Sequence, residues 1–130
     1  MLRRPLAEQP LTRNILWAFY EVYNTLGYGL LEQIYKLALE WELVGLGHRV
    51  GREVGVVVMY KGIELAEQRL DLLVDERVIV EVKATANLPL GAERQLYNYL
   101  RATGLEVGLL LHFGLEPKFH RVYNERGRCL

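Results

Sequence analysis

Val78-Ile79-Val80-Glu81-Val82-Lys83-Ala84 is a β-branched run into which two opposite charges are set two residues apart. Side chains two apart on a strand share a face, so Glu81 and Lys83 stand together while Val80 and Val82 take the other side. Charges on a central strand are costly unless they are paired or bound to a metal. The preceding strand, Arg69 to Val74, reaches this one across the tip Asp75-Glu76-Arg77. Read as a three-residue loop, that tip brings Asp71 opposite Glu81 on the same face.

Two acids held that close repel each other unless a cation sits between them. Hard cations such as Mg²⁺ favour carboxylate oxygens, with water and substrate phosphate completing the shell. Such a metal lowers the pKa of a bound water and offsets charge developing on a phosphodiester. Lys83 can then position or deprotonate that water, or stabilise the developing charge. The plainer reading is a cross-strand ion pair of Asp71 or Glu81 with Lys83 or Arg69. That reading gives the cluster no function, and it expects Glu81→Ala to destabilise the fold by stranding Lys83. On pattern alone the ion pair takes precedence.

Outward from this pair the chain reads as helices before and mixed elements after. Upstream, Val54, Val56 and Val58 alternate as a strand, and Lys61-Gly62 turns it into a further strand around Ile63 and Leu65. With Arg69–Val74 and Val78–Ala84 this predicts four successive strands and an antiparallel meander. A first helix is expected from Thr12, as N-cap, to Leu26, with Ile15, Phe19, Val22, Tyr23 and Leu26 on its apolar stripe. After Gly27 and Gly29 a second is expected from Leu30 to Val44, burying Leu31, Ile34, Leu37 or Ala38, Trp41 and Val44, and ended by Gly45 and Gly47. Downstream, a third helix is expected from Ala92 to Ala102, stopped by Gly104. Val107–Phe113 suits a strand buried on both faces, and Phe119–Tyr123 an edge strand.

Composition narrows the class. At 130 residues, 51% hydrophobic and 25% charged, the chain fits one α/β (α+β) domain over 1–130, with an N-terminal arm at 1–11 and a C-terminal strand and tail at 115–130. One cysteine, Cys129, cannot form an internal disulfide, and nothing after Arg3 and Arg4 resembles a signal peptide. The apolar stretches are too short to cross a membrane, so a soluble cytoplasmic protein is expected. The formal net charge is zero. Duplex-DNA binders are usually basic, so neutrality counts against tight autonomous DNA binding. It leaves room for an enzyme that holds its substrate through a metal and a local basic rim.

Two further segments change the balance: Gly29-Leu30-Leu31-Glu32-Gln33-Ile34-Tyr35, a G-x-x-E-x-x-Y motif, and Gln95-Leu96-Tyr97-Asn98-Tyr99-Leu100 ahead of Gly104 and Gly108-Leu109-Leu110-Leu111. Together with Arg69-Leu70-Asp71 and Glu81-Val82-Lys83, in this order and spacing, they resemble the bacterial and archaeal GxxExxY family, a branch of the PD-(D/E)xK nuclease superfamily. The resemblance runs from about Asn14 to Gly114. It implies a restriction-endonuclease-like core, a central mixed β-sheet flanked by helices. It also implies hydrolysis of DNA by a water activated on Mg²⁺ or Mn²⁺.

By the same resemblance Glu32, Asp71 and Glu81 are metal ligands, joined by the Val82 carbonyl. Lys83 is the catalytic lysine, and Gln95 with Tyr99 is the Q-x-x-x-Y pair of the following helix, one face of which can meet the substrate. Asp71 follows Leu70 where the superfamily name has proline. Arg69 and Arg94 are expected at the phosphate backbone, with Arg101, Lys118, Arg121, Arg126 and Arg128 as weaker candidates. Read without the resemblance, Glu32 is an acid near a helix N-terminus, Tyr35 and Tyr99 are core, and Gly29 serves the turn between helices. His48, His112 and His120 fall on separate elements and read as structural, with His112 the one to watch. Trp17 and Tyr97 can stack on bases but sit in helical patterns. A non-catalytic nucleic-acid-binding or protein-interaction module of a repair or defence complex is the alternative function. A small domain with many apolar residues, including Trp17, Trp41 and eight tyrosines, can use a helical face to form a homodimer.

Overall fold

The computed structural model describes residues 8–124. Its elements are α1(Gln9–Leu26), α2(Glu32–Gly45), β1(Val50–Tyr60), β2(Ile63–Val74), β3(Val78–Lys83), α3(Ala92–Thr103), β4(Val107–Phe113) and β5(Pro117–Tyr123). The tail positions Arg126, Arg128 and Cys129, together with Arg3 and Arg4 of the expected arm, lie outside the described residues.

The five strands form one sheet in the order β1-β2-β3-β4-β5. The β1/β2, β2/β3 and β4/β5 pairs are antiparallel, whereas β3 and β4 run parallel. A parallel pair cannot be closed by a hairpin, and α3 makes the crossover. The sheet is mixed and flanked by helices on both faces, the architecture expected from the sequence.

Strand alternation sorts the side chains between two cores. Leu72, Val74, Val78, Val80, Val82, Leu109 and Leu111 pack against Ile15 and Phe19 of α1 and Tyr35, Leu39 and Leu43 of α2. On the opposite face Ile79 and Leu110 meet Leu96, Tyr99 and Leu100 of α3. β4 is buried at every residue, as its uninterrupted apolar run predicts. At Gly108 a Cβ would lie 2.7 Å from Leu96 Cδ1, so the missing side chain lets α3 settle directly on β4.

Three expectations are corrected. The first helix begins at Gln9, and Thr12 is a buried helical residue whose hydroxyl donates to the Gln9 carbonyl at 3.0 Å, not an N-cap. Three strands precede α3 in place of four: Ile63 to Val74 is one strand, held throughout by pairing with β1. The third concerns α2, which buries the opposite face from the expected one. Tyr35, Lys36, Leu39 and Leu43 are inside, while Leu31, Ile34, Leu37, Trp41 and Val44 are exposed, Trp41 at 81%.

Tyr35 shows why this face wins. Its ring stacks on Phe113 with centroids 4.1 Å apart. Its hydroxyl donates to the Gly27 carbonyl at 2.7 Å and accepts the Leu30 N–H at 3.2 Å. The glycine turn is thereby fastened to the helix, and Gly29 has the positive φ of 98° that only glycine adopts without strain.

This assignment of faces has a direct consequence for stability. Leu39→Ala should cost about 2–5 kcal/mol through the cavity it leaves. Trp41→Ala should stay within about 0.5 kcal/mol of wild type. Urea denaturation of both variants checks the pair, and a larger loss at Trp41 would overturn the assignment.

Candidate metal centre at a fork in the sheet

β2 and β3 pair only from Val74↔Val78 to Leu72↔Val80. Beyond that point β2 continues with β1, and β3 continues with β4 as far as Lys83↔His112. Asp71 and Glu81 stand where the two strands part. An unpaired backbone amide inside a protein must find another acceptor, and here the acids supply it. Glu81 Oε2 accepts the Asp71 N–H at 2.8 Å, and Asp71 Oδ2 accepts the Val82 N–H at 2.7 Å. Each carboxylate caps a backbone amide of the neighbouring strand, which brings the two acids together as the three-residue tip predicts.

Glu81 is buried. Burial pushes its carboxyl up, the Asp71 charge adds to this, and together they raise it to about 8. The Asp71 N–H, Lys83 and Lys36 pull the other way and are outweighed. Tyr99, projecting from α3, is raised by its burial and then by the charges of Glu81 and Asp71, which places its hydroxyl in the field of the same pair.

The other expected residues divide. Lys83 is half-buried at the end of β3 and lines a shallow pocket with Gln95, Pro89, Leu90, Gly91 and Ala92. Gln95 therefore faces Lys83 from the first turns of α3. No ion pair joins Lys83 or Arg69 to Asp71 or Glu81 among the described residues, so the cross-strand pair expected from the plainer reading does not form. Arg69 is exposed on β2, and Arg94 is exposed on α3 with its guanidinium 5.0 Å from the Tyr97 ring centre. Glu32 opens α2, in its first turn. It does not gather with the acids: no three His, Cys, Asp or Glu groups among the described residues come close enough to hold a metal on their own.

Two residues at the fork were not anticipated. Lys36, one helical turn after Glu32 on α2, is buried and reaches Glu53 Oε1 at 2.6 Å and Asp71 Oδ1 at 3.3 Å. Glu53 lies in β1 between the pairs Arg52↔Leu72 and Val54↔Leu70, abreast of Asp71, and carries a left-handed φ of 53°. The four-residue spacing from Glu32 to Lys36 was the available signal, since it puts both on one helix face. The histidines are held elsewhere: His48 by Asp75 at 2.7 Å, His112 by the Thr85 carbonyl at 2.6 Å, and His120 by Glu93 at 2.8 Å.

Comparisons with known proteins bear on this arrangement. Residues 9–122 match the family model described as the PD-(D/E)XK nuclease superfamily. No curated protein matches the chain. Among solved structures, the crystal structure of SSO0001 is similar at a TM-score of 0.58 and 22% identity over 75% of this chain. The match covers 50% of the SSO0001 chain, so this protein spans about half of that length. At that identity the likeness speaks for the fold, which is restriction-endonuclease-like.

Because folding raises the Glu81 carboxyl from 4.5 to about 8, the folded chain keeps a proton over that range that the unfolded chain has released. The contribution to stability is therefore present below the unfolded value and is lost as pH rises to about 8. Metal-free protein should melt at progressively lower temperature from about pH 5 to about pH 8. Glu81→Gln should remove that part of the slope. Equal slopes in the two proteins would overturn the assignment.

Proposed function

The chain belongs to the PD-(D/E)XK nuclease superfamily, and from that premise we propose that it is a metal-dependent phosphodiesterase that hydrolyses DNA, in the GxxExxY branch. The observation that carries this reading is the interlocked pair Asp71 and Glu81 at the fork, with Lys83 two residues further along β3.

The donor chemistry fits a divalent cation. Mg²⁺ is commonly bound through one or two carboxylates, with water and substrate phosphate filling its other positions. Burial and the Asp71 charge disfavour the ionised form of Glu81, and a divalent charge at the pair would favour it. In this reading Asp71 and Glu81 hold Mg²⁺ or Mn²⁺, with the Val82 carbonyl beside them. Glu32, on the first turn of α2, completes the set only through water or a shift of its side chain. When bound, the metal supplies an acidified water and a counter-charge for the phosphorane-like transition state.

The chain's own groups do the remainder. Lys83 forms no ion pair with an acid among the described residues, although its charge acts on Glu81, and its ammonium would serve an attacking water or a phosphoryl oxygen. Gln95, across the shallow pocket from Lys83, orients that water or the phosphate. Tyr99 offers a hydroxyl that stays protonated at neutral pH. Arg69, exposed on β2, and Arg94, exposed on α3, would contact the nucleic-acid backbone.

A second reading keeps the fold as a binding module in a repair or defence complex. It is favoured by the zero net charge and by the apolar stripe Ile34, Leu37, Trp41 and Val44 on the outside of α2, which suits a protein partner, including a second copy of the chain.

The test is a panel of linear and circular duplex, single-stranded and branched DNA and RNA, incubated in Mg²⁺ and in Mn²⁺. Wild type should cut at least one DNA substrate. Glu81→Gln should lower the rate by at least a hundredfold while its circular dichroism spectrum is retained. Undiminished cutting by Glu81→Gln would sink the metal-centre reading, and no metal binding by calorimetry would favour the binding module.

A further inference from the structure

Lys36 is a buried ammonium beside the candidate metal centre. It sits on the buried face of α2, and its Nζ lies 2.6 Å from Glu53 Oε1 and 3.3 Å from Asp71 Oδ1. One cation therefore already bridges two carboxylates. Asp71 is engaged on both oxygens, Oδ1 by Lys36 and Oδ2 by the Val82 N–H. Two carboxylates within reach of one ammonium favour its charged form.

We infer that Lys36 is a tethered counter-ion that competes with the divalent metal for Asp71, and that Glu53 is the carboxylate on which its ammonium rests when the metal takes Asp71. The inference rests on the metal-centre reading of Asp71 and Glu81. Three observations support it beyond that reading. The ammonium lies closer to Glu53 than to Asp71, so release of Asp71 requires only a small swing of a flexible four-carbon stem. Glu53 is more exposed than Asp71, with side-chain exposures of 40% and 15%, so it can take a full share of the ammonium while remaining solvated. Its backbone is left-handed, a conformation that costs a non-glycine residue energy, and the β1–β2 register skips it opposite Asp71.

The device has a chemical purpose. Without a metal, Asp71 is a part-buried carboxylate beside the buried Glu81 carboxyl at the point where β2 and β3 separate. Lys36 supplies a compensating charge for Asp71 from within the chain. The same charge weakens the hold on a free divalent ion, because the ion must displace an opposite-charge contact already made. A phosphate brought by the substrate restores the balance, so metal and nucleic acid bind cooperatively.

Mn²⁺ titration by calorimetry, at one pH and ionic strength, tests this in the full chain. Glu81→Gln is the control for the metal-centre reading and should lose binding. Lys36→Met should tighten Mn²⁺ by about tenfold, the effect of removing one competing opposite-charge contact. Lys36→Arg should restore an affinity close to wild type, and thermal melts establish that each variant is folded. Glu53→Gln should weaken Mn²⁺ severalfold, since the ammonium then has Asp71 alone, and should have no effect in a Lys36→Met background. Unchanged or weaker binding in folded Lys36→Met, with Glu81→Gln inactive in binding, would overturn the counter-ion while leaving the metal centre standing. Binding by Glu81→Gln equal to wild type would overturn the metal centre itself, and the counter-ion with it. A residual effect of Glu53→Gln in the double variant would make Glu53 a ligand and overturn its role as a resting place.

Discussion

Two hydrogen bonds hold the fork open: Glu81 to the Asp71 amide and Asp71 to the Val82 amide. Without them the ladder between β2 and β3 would end on buried amides with no acceptor, a cost of about 1–3 kcal/mol for each group. With them, the sheet can divide. One branch becomes the β1–β2 hairpin, which continues as far as the Lys61-Gly62 turn, and the other becomes the parallel β3–β4 pair under α3. The carboxylates at the candidate site are thus structural and chemical groups at once. One oxygen of each accepts an amide of the neighbouring strand, and the second oxygen of Asp71 accepts from Lys36.

That double duty explains the electrostatic character of the site. Glu81 is packed among apolar residues of a central strand, and Asp71 faces it with a second acid. The charges of Lys83, two residues along the same strand, and of Lys36, which approaches from α2, offset only part of the cost of burying Glu81. The result is a constellation whose charges nearly balance. Small changes in occupancy, of protons or of cations, therefore have large effects on it. Sites in which local rules are broken and compensated elsewhere are where chemistry is usually found.

Sequence reasoning recovered the parts whose signals are local. The β3 alternation, the three-residue tip that sets Asp71 against Glu81, the helix ended by Gly104 and the doubly buried β4 follow from nearest-neighbour patterns, and each is present. The face of α2 was misread because that helix has two apolar stripes. Leu31, Ile34, Leu37, Trp41 and Val44 form one, Tyr35, Leu39 and Leu43 the other, and periodicity alone cannot choose between them. The choice is made by Phe113 and by the Gly27 carbonyl, both distant or outside the helix. The length of β2 was missed because its exposed stretch carries polar residues that read as a loop, whereas pairing with β1 keeps it extended. Glu53 was hidden by a register shift between Val58 and Met59. Counting back from the two-residue turn puts Arg52 opposite Asp71, and the shift moves Glu53 there.

The order of strands in the sheet has a consequence for how the chain reaches this state. Because spatial order and chain order coincide, each strand joins the edge left by its predecessor, and only the step from β3 to β4 requires closing a long loop. Sequence-local pairing of this kind favours rapid folding for a sheet protein. The same order leaves Glu81 on the strand that β4 and α3 cover, so its burial depends on the long-range β3–β4 pairing rather than on the local hairpin.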